Sequence, residues 1–373
     1  MSWQADFFSR TFDFRFEART SRGAMTQKKS WFLRVWDSRE PDRIGVGECS
    51  LLPGLSPEDP LFIEDQLAAT TSTFNALPGD LEDRSLRELA ALLATTFSIR
   101  QQPALQCAWE TAFLDWRLGG KRQVFDNSFV RGKPIPINGL IWMADEDTML
   151  REIDQKIQAG FTTLKLKVGS LRFEQECNIL RYIRDTYSSR QLTLRLDANG
   201  AFRSADVRAK LEALARFGIH SIEQPLPAGS PEWRDVCRQS PIPIALDEEL
   251  IGIVEQSEME HVLEHIQPHF IILKPSLHGG LSGCAAWIAL ARERGIDFWL
   301  TSALESNVGL NAIAQFAAEY NPGLPQGLGT GNLFHNNFDS PLVVEAGQLR
   351  YDPSLPWGLI APAAPGVRQL PNL

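Results

Sequence analysis

The chain has 373 residues, of which 43% are hydrophobic and 22% charged, and a formal net charge of −9. This is ordinary globular composition, the length suggests about two domains, and the acidic balance argues against nucleic acid or an anionic membrane as a main partner. The five cysteines (Cys49, Cys107, Cys177, Cys237, Cys284) are scattered and never in CxxC spacing, which disfavours a disulfide framework or a zinc site.

The first residues, MSWQADFFSRTFDFRF, lack the apolar core of a signal peptide. No apolar run approaches the ~18 residues needed to span a bilayer. A cytoplasmic enzyme is expected. Phe12, Phe14 and Phe16 alternate with polar residues, which predicts a half-buried strand. Ser30 to Trp36 and Arg43 to Glu48 predict two more. The polar stretch from Thr20 to Lys29 is too long for a tight hairpin and is expected as a mobile loop. Cys49 to Asp59 reads as a second loop, rich in turn residues yet apolar. Helical patterns run from Pro60 to Phe74, Ser85 to Phe97 and Pro103 to Leu118. In the last, Leu105, Ala108, Ala112 and Leu114 fall near one face. Residues 1–132 are thus expected to form an α+β domain.

From Pro134 the pattern changes. PIPINGLIWM, LKLKVG, LTLRLD, HSIEQP, IPIALD, HFIILKP, DFWLTSA and GLGTGN are strand-like, with helical stretches between them. Strands alternating with helices imply a parallel sheet, and eight imply closure into a barrel. Residues 133–332 are assigned to it. Residues 333–373 contain one strand-like run, SPLVVEAGQLRY, and many prolines, and are expected to fold back on the first domain.

Three carboxylates end successive apolar runs: Asp197 in LRLDANG, Glu223 in SIEQP and Asp247 in IALDEE. Lys165 and Lys167 precede them and Lys274 follows. From Lys167 the steps are 30, 26, 24 and 27 residues, each the size of one βαβ repeat. A barrel brings such groups together at the carboxyl ends of its strands. Alternation along a strand turns Lys165 and Lys167 to one face, and turns Arg195, Asp197 and Asn199 inward. Inward cations are costly unless partnered, and three carboxylates repel one another without a cation. Carboxylate oxygens suit a hard divalent ion, Mg²⁺ or Mn²⁺ in its place. An internal salt-bridge network without metal is the alternative. A divalent ion lowers the pKa of a nearby lysine, which can then act as a base. Such an ion also stabilises the charge that develops when a carbon beside a carboxylate loses its proton.

KLK, DAN, EQP, DEE and KPS, in this order and spacing, resemble the enolase superfamily, in particular its muconate-lactonizing-enzyme subgroup. The resemblance covers nearly the whole chain. It implies an α/β fold: a modified TIM barrel, (β/α)7β, with an N-terminal α+β capping domain completed by the C-terminal segment. Within the subgroup, GECSLLPGLSPED, KPSLHGG and TSALESNVGLNAIAQ resemble the o-succinylbenzoate synthase family. That resemblance implies that Asp197, Glu223 and Asp247 bind Mg²⁺. It makes Lys167 the base on one face and puts Lys274 on the other, with Lys165 beside them. The implied reaction is syn-dehydration of 2-succinyl-6-hydroxy-2,4-cyclohexadiene-1-carboxylate to 2-succinylbenzoate, a step of menaquinone biosynthesis, in which one lysine both takes the proton and protonates the hydroxyl. An N-acylamino acid racemase or dipeptide epimerase of the same superfamily is the alternative and needs both lysines as bases. Dipeptide epimerases place acidic residues after the last barrel strand, and Gln326 to Phe334 has none. A barrel kept only for binding is disfavoured by the intact set of charged groups. The expected partner is a small carboxylate; the oligomeric state is left open.

Several further residues admit two readings. Glu248 either pairs with a lysine or begins a helix in solvent. Asn199 contacts the site or turns the chain. Ser302, Glu305, Ser306 and Asn307 lead into a helix whose start either binds a carboxylate or is plainly capped. Gly329 and Thr330 in GLGTGN let backbone approach a ligand or make a simple turn. His261 and His265 read as a solvated helix face. The loops near Gly23 and Pro53 are expected to close over the site.

Overall fold

The structure is a computed structural model that describes residues 3–20, 23–77, 84–320 and 323–361. Its first sheet is antiparallel, in the order β1 (Trp3–Thr20), β2 (Gly23–Asp37), β3 (Gly45–Cys49). The alternation in β1 buries Phe12 and Phe14 against Phe334. The β1–β2 register then slips between Asp13 and Ala18, and Phe16 is 39% exposed, its ring edge-on to Trp142. The stretch expected as a loop from Thr20 to Lys29 is strand from Gly23 onward, with Gly23 opposite Thr20 and Lys29 opposite Thr11. β1 is long enough to pair with it, and pairing satisfies backbone groups whatever the side-chain polarity. Residues 21–22 lie outside the described residues.

Three helices follow: α1 (Ile63–Asn75), α2 (Leu86–Phe97) and α3 (Pro103–Arg117). Ser85 and Glu88 form a capping box at the start of α2. α3 is not amphipathic as expected. Every residue from Pro103 to Trp116 is buried, because β3 covers one side of the helix and α2 and a barrel helix cover the others. Such close approach needs glycine in β3. A Cβ on Gly47 would stand 1.9 Å from the Ala108 carbonyl oxygen. Gly47→Ala is therefore expected to destabilise the protein by at least ~1–3 kcal/mol, the usual cost of overpacking. Urea unfolding checks this, and an unchanged midpoint would contradict the packing.

PIPINGLIWM divides into β4 (Ile135–Pro136) and β5 (Gly139–Ile141), which belong to different sheets. The parallel sheet has seven strands in sequence order: β5, β6 (Thr163–Lys167), β7 (Thr193–Asp197), β8 (Ser221–Glu223), β9 (Ile244–Leu246), β10 (Phe270–Leu273) and β11 (Asp297–Leu300). The seven expected helices are α4 (Glu146–Gln158), α5 (Phe173–Thr186), α6 (Val207–Ala215), α7 (Trp233–Gln239), α8 (Gln256–Ile266), α9 (Gly280–Glu293) and α10 (Asn307–Tyr320). GLGTGN does not form a regular eighth strand. Instead Gln326 bridges to Ile137 and Gly327 to Thr301, which closes the ring between β11 and β5. Glycine has no side chain to pack on a pleated surface, so the segment is extended only where it bonds both neighbours.

Aliphatic side chains between strands and helices form the main core, and a second core fills the first domain. Residues 333–338 return to the first sheet, where Phe334 and Phe338 pack on Phe12. The hairpin β12 (Leu342–Glu345) and β13 (Gln348–Tyr351) instead pairs with β4. Residues 362–373 lie outside the described residues. No helix among the described residues is long and apolar enough to cross a membrane.

Candidate active site

Strands β6, β7 and β8 are in register, so Lys167, Asp197 and Glu223 stand side by side at their carboxyl ends. Asp247 and Lys274 each follow the last residue of β9 and β10. Lys165 Nζ lies 2.9 Å from Asp197 Oδ2 and 2.6 Å from Glu223 Oε2. Lys167 Nζ donates to Asp197 Oδ2 at 2.9 Å and to Asn199 Oδ1 at 2.7 Å. Lys274 Nζ donates to Asp247 Oδ2. Four strand positions separate β6 from β10 in a ring of eight, so Lys167 and Lys274 approach from opposite sides. Both line one cavity of about 260 Å³, together with Lys165, Asp197 and Asn199.

The roof of this cavity comes from the first domain. Gly23, Ala24 and Met25 from the start of β2 reach it, as do Leu52, Pro53 and Leu55 from the apolar loop. That explains an apolar loop on the outside of a small sheet: its leucines face a cavity, not water. Ser302, Gly329 and Thr330 line the wall. Asn138, Leu140, Trp142 and Thr301 line it as well and were not singled out from the sequence. Asn138 is followed by a glycine in a strand too short to show alternation.

Glu248, Ser306, Asn307, His261 and His265 are not among the residues lining the cavity. Glu248 is second rank, accepting a bond from Asn199 Nδ2 at 3.1 Å. The start of α10 is already occupied by an internal carboxylate, Glu48, which accepts from the backbone N–H groups of Ser306 and Gly309 and from the Ser306 hydroxyl. Asn307 is bonded to Asn337 and Phe338. His261 and His265 stack on each other on an exposed face of α8. Arg195 points inward, yet its partners are not carboxylates. Its guanidinium lies 3.9 Å from the Trp299 ring and donates to the Pro325 carbonyl at 2.7 Å. His278, overlooked in KPSLHGG, is buried beneath the site: Lys274 N donates to its Nδ1 at 2.8 Å.

Charge sets the protonation states. Burial disfavours the Asp197 carboxylate, but Lys165 and Lys167 outweigh this and hold its pKa well below the usual range. Burial and the charge of Asp197 push Glu223 up to about 8. Burial opposes the charged forms of Lys165 and Lys274, yet the adjoining carboxylates prevail and raise both. The lowered lysine pKa expected from the sequence is that of a lysine beside a bound divalent ion. A divalent cation among the same carboxylates would reverse the sign.

Among the described residues, no three His, Cys, Asp or Glu side chains are drawn together as a ready metal cage. Lysine ammonium groups lie on the carboxylate oxygens instead. The donor set nevertheless suits a hard divalent ion. It is made of charged oxygens on three adjacent strand ends, and Asp247 Oδ1 is buried with no hydrogen-bond donor.

Residues 148–367 match the family model described as "Enolase C-terminal domain-like". The chain belongs to this family. It is 44% identical to the o-succinylbenzoate synthase of Desulfotalea psychrophila over 90% of this chain and 95% of that protein. The crystal structure of MenC from the same organism superposes with a TM-score of 0.85 at 40% identity, covering 94% of this chain and all of that one. An N-succinylamino acid racemase of Thermus thermophilus is 28% identical over 79% of this chain and 76% of its own length. A dipeptide epimerase from Enterococcus faecalis, complexed with Mg and a dipeptide, shares the fold, with a TM-score of 0.80 at 19% identity over 96% of this chain and 99% of that one.

Proposed function

We propose that this enzyme, a lyase of the enolase superfamily, is an o-succinylbenzoate synthase. Its substrate is 2-succinyl-6-hydroxy-2,4-cyclohexadiene-1-carboxylate and its product 2-succinylbenzoate, as in menaquinone biosynthesis. The pair of lysines facing one small cavity from opposite sides, with three carboxylates between them in strand order, supports proton abstraction beside a carboxylate. The observation that carries the synthase reading is the 44% identity to an o-succinylbenzoate synthase over nearly the full length of both chains, against 28% to the racemase.

Asp197, Glu223 and Asp247 would hold one Mg²⁺. When bound, it supplies Lewis-acid stabilisation of charge at the substrate carboxylate. Lys167 removes the proton from the adjacent carbon, and its bond to Asn199 holds the amine in place. The same amine, now protonated, gives a proton to the hydroxyl leaving from that face. Lys274, on the other face, is a cation against the flat, electron-rich ring. The roof of Met25, Leu52 and Leu55 excludes water, which strengthens each of these electrostatic effects.

The same lysine pair also fits racemisation, in which one lysine takes a proton and the other returns it to the opposite face. Both chemistries are distinguished by Lys274→Arg, which keeps the charge but is not a practical base. This variant is expected to retain measurable dehydration and to lose any racemisation of N-acylamino acids. The wild type is the decisive comparison, followed by loss of diene absorbance and by polarimetry. If it racemises N-succinylamino acids far faster than it dehydrates the diene acid, the racemase reading replaces this one.

A further inference from the structure

One buried charge cluster lies outside the lysine–carboxylate set and joins the two domains. Lys28 of β2 is 4% exposed, and its ammonium donates to the Ser50 hydroxyl. The charges of two buried carboxylates, Glu48 and Glu305, favour the charged form of that ammonium against its burial. Glu48 holds the start of α10, as described above. Glu305 takes a different pair of partners. Its Oε1 accepts from the Ser276 hydroxyl and its Oε2 from the Ser302 hydroxyl, both at 2.7 Å. Gly309 makes room for both acids, since a Cβ there would stand 2.7 Å from the Glu305 side chain and 2.9 Å from Glu48 Oε2.

The positions of these serines matter. Ser276 is two residues beyond Lys274, in the turn that aims its amine into the cavity, and Ser302 lies on the cavity wall. Lys28 is three residues beyond Met25 of the roof. Glu305 is 1% exposed and is not among the residues lining the cavity, so it is not placed as a substrate ligand. We propose that Glu305 is a positioning residue: by bonding Ser276 and Ser302 at once, it fixes the Lys274 turn against the cavity wall.

This rests on the synthase reading for its kinetic test but not for its structural one. Glu305→Gln keeps the size and loses the charge. It is expected to lower kcat roughly tenfold, the scale of a lost hydrogen bond to a charged group, with KM nearly unchanged. Ser276→Ala should lower kcat by a smaller factor, and Ser276→Ala combined with Glu305→Gln should be no slower than Glu305→Gln alone. A purely structural role would instead lower the unfolding temperature and the active fraction while leaving kcat per folded molecule intact. Independently of any substrate, hydrogen–deuterium exchange of the segment from Lys274 to Gly283 should accelerate in Glu305→Gln and in Ser276→Ala. Unchanged exchange in this segment, or serine and glutamate effects on kcat that multiply, would overturn the proposal. If the wild type does not dehydrate the diene acid, the synthase reading fails, and the exchange data alone decide the positioning role. If Glu305→Gln does not fold, Ser276→Ala decides by the same two measurements.

Discussion

Lys167→Ala is expected to lower kcat for the diene acid by ~10²–10⁴-fold, the range for a positioned general acid–base group. The loss should be large because a syn elimination uses this one amine twice, as base and then as acid. It should appear in kcat more than in KM, since the cavity walls and the other cations remain. The lysine donates to Asp197 and Asn199, so its removal frees a carboxylate and does not remove a metal donor. Mg²⁺ affinity, measured by titration calorimetry, should therefore survive. Stopped-flow or steady-state loss of diene absorbance gives the rate. A variant that keeps close to wild-type kcat would move the base elsewhere, with Lys274 next to be tested.

Removing the metal is expected to abolish turnover, and added Mg²⁺ should restore it. Without a divalent ion, the ammonium groups of Lys165 and Lys274 stay engaged with the carboxylates, and no Lewis acid stabilises the charge developing at the substrate carboxylate. Asp247→Asn should weaken Mg²⁺ binding by roughly tenfold or more, because the site loses one ligand charge. Affinity is the cleaner readout for this variant, because Asp247 also partners Lys274. Dehydration at the wild-type rate by exhaustively chelated protein would refute the metal role of all three carboxylates.

Much of this protein was legible in its sequence because a barrel is a repeat. The period of Lys167, Asp197, Glu223, Asp247 and Lys274 reports one strand and one helix per step, and alternation in LKLK and LRLD turns their charges to one face. Local chain geometry dictates both, so neither needed coordinates. The polar hairpin arm from Gly23 to Lys29, the all-round burial of α3 and the two-residue closure at Gln326 and Gly327 were not legible. Each depends on what a distant segment supplies: a long β1 to pair with, β3 glycines that admit a helix, and open bonds on β5 and β11. The same holds for residues near the site. Glu48 and Glu305 look alike in sequence as acids next to small residues. The docking of the first domain on the barrel gives Glu48 the start of α10, and the barrel's own closure gives Glu305 two serine hydroxyls, because buried carboxylates must find donors wherever the tertiary fold provides them.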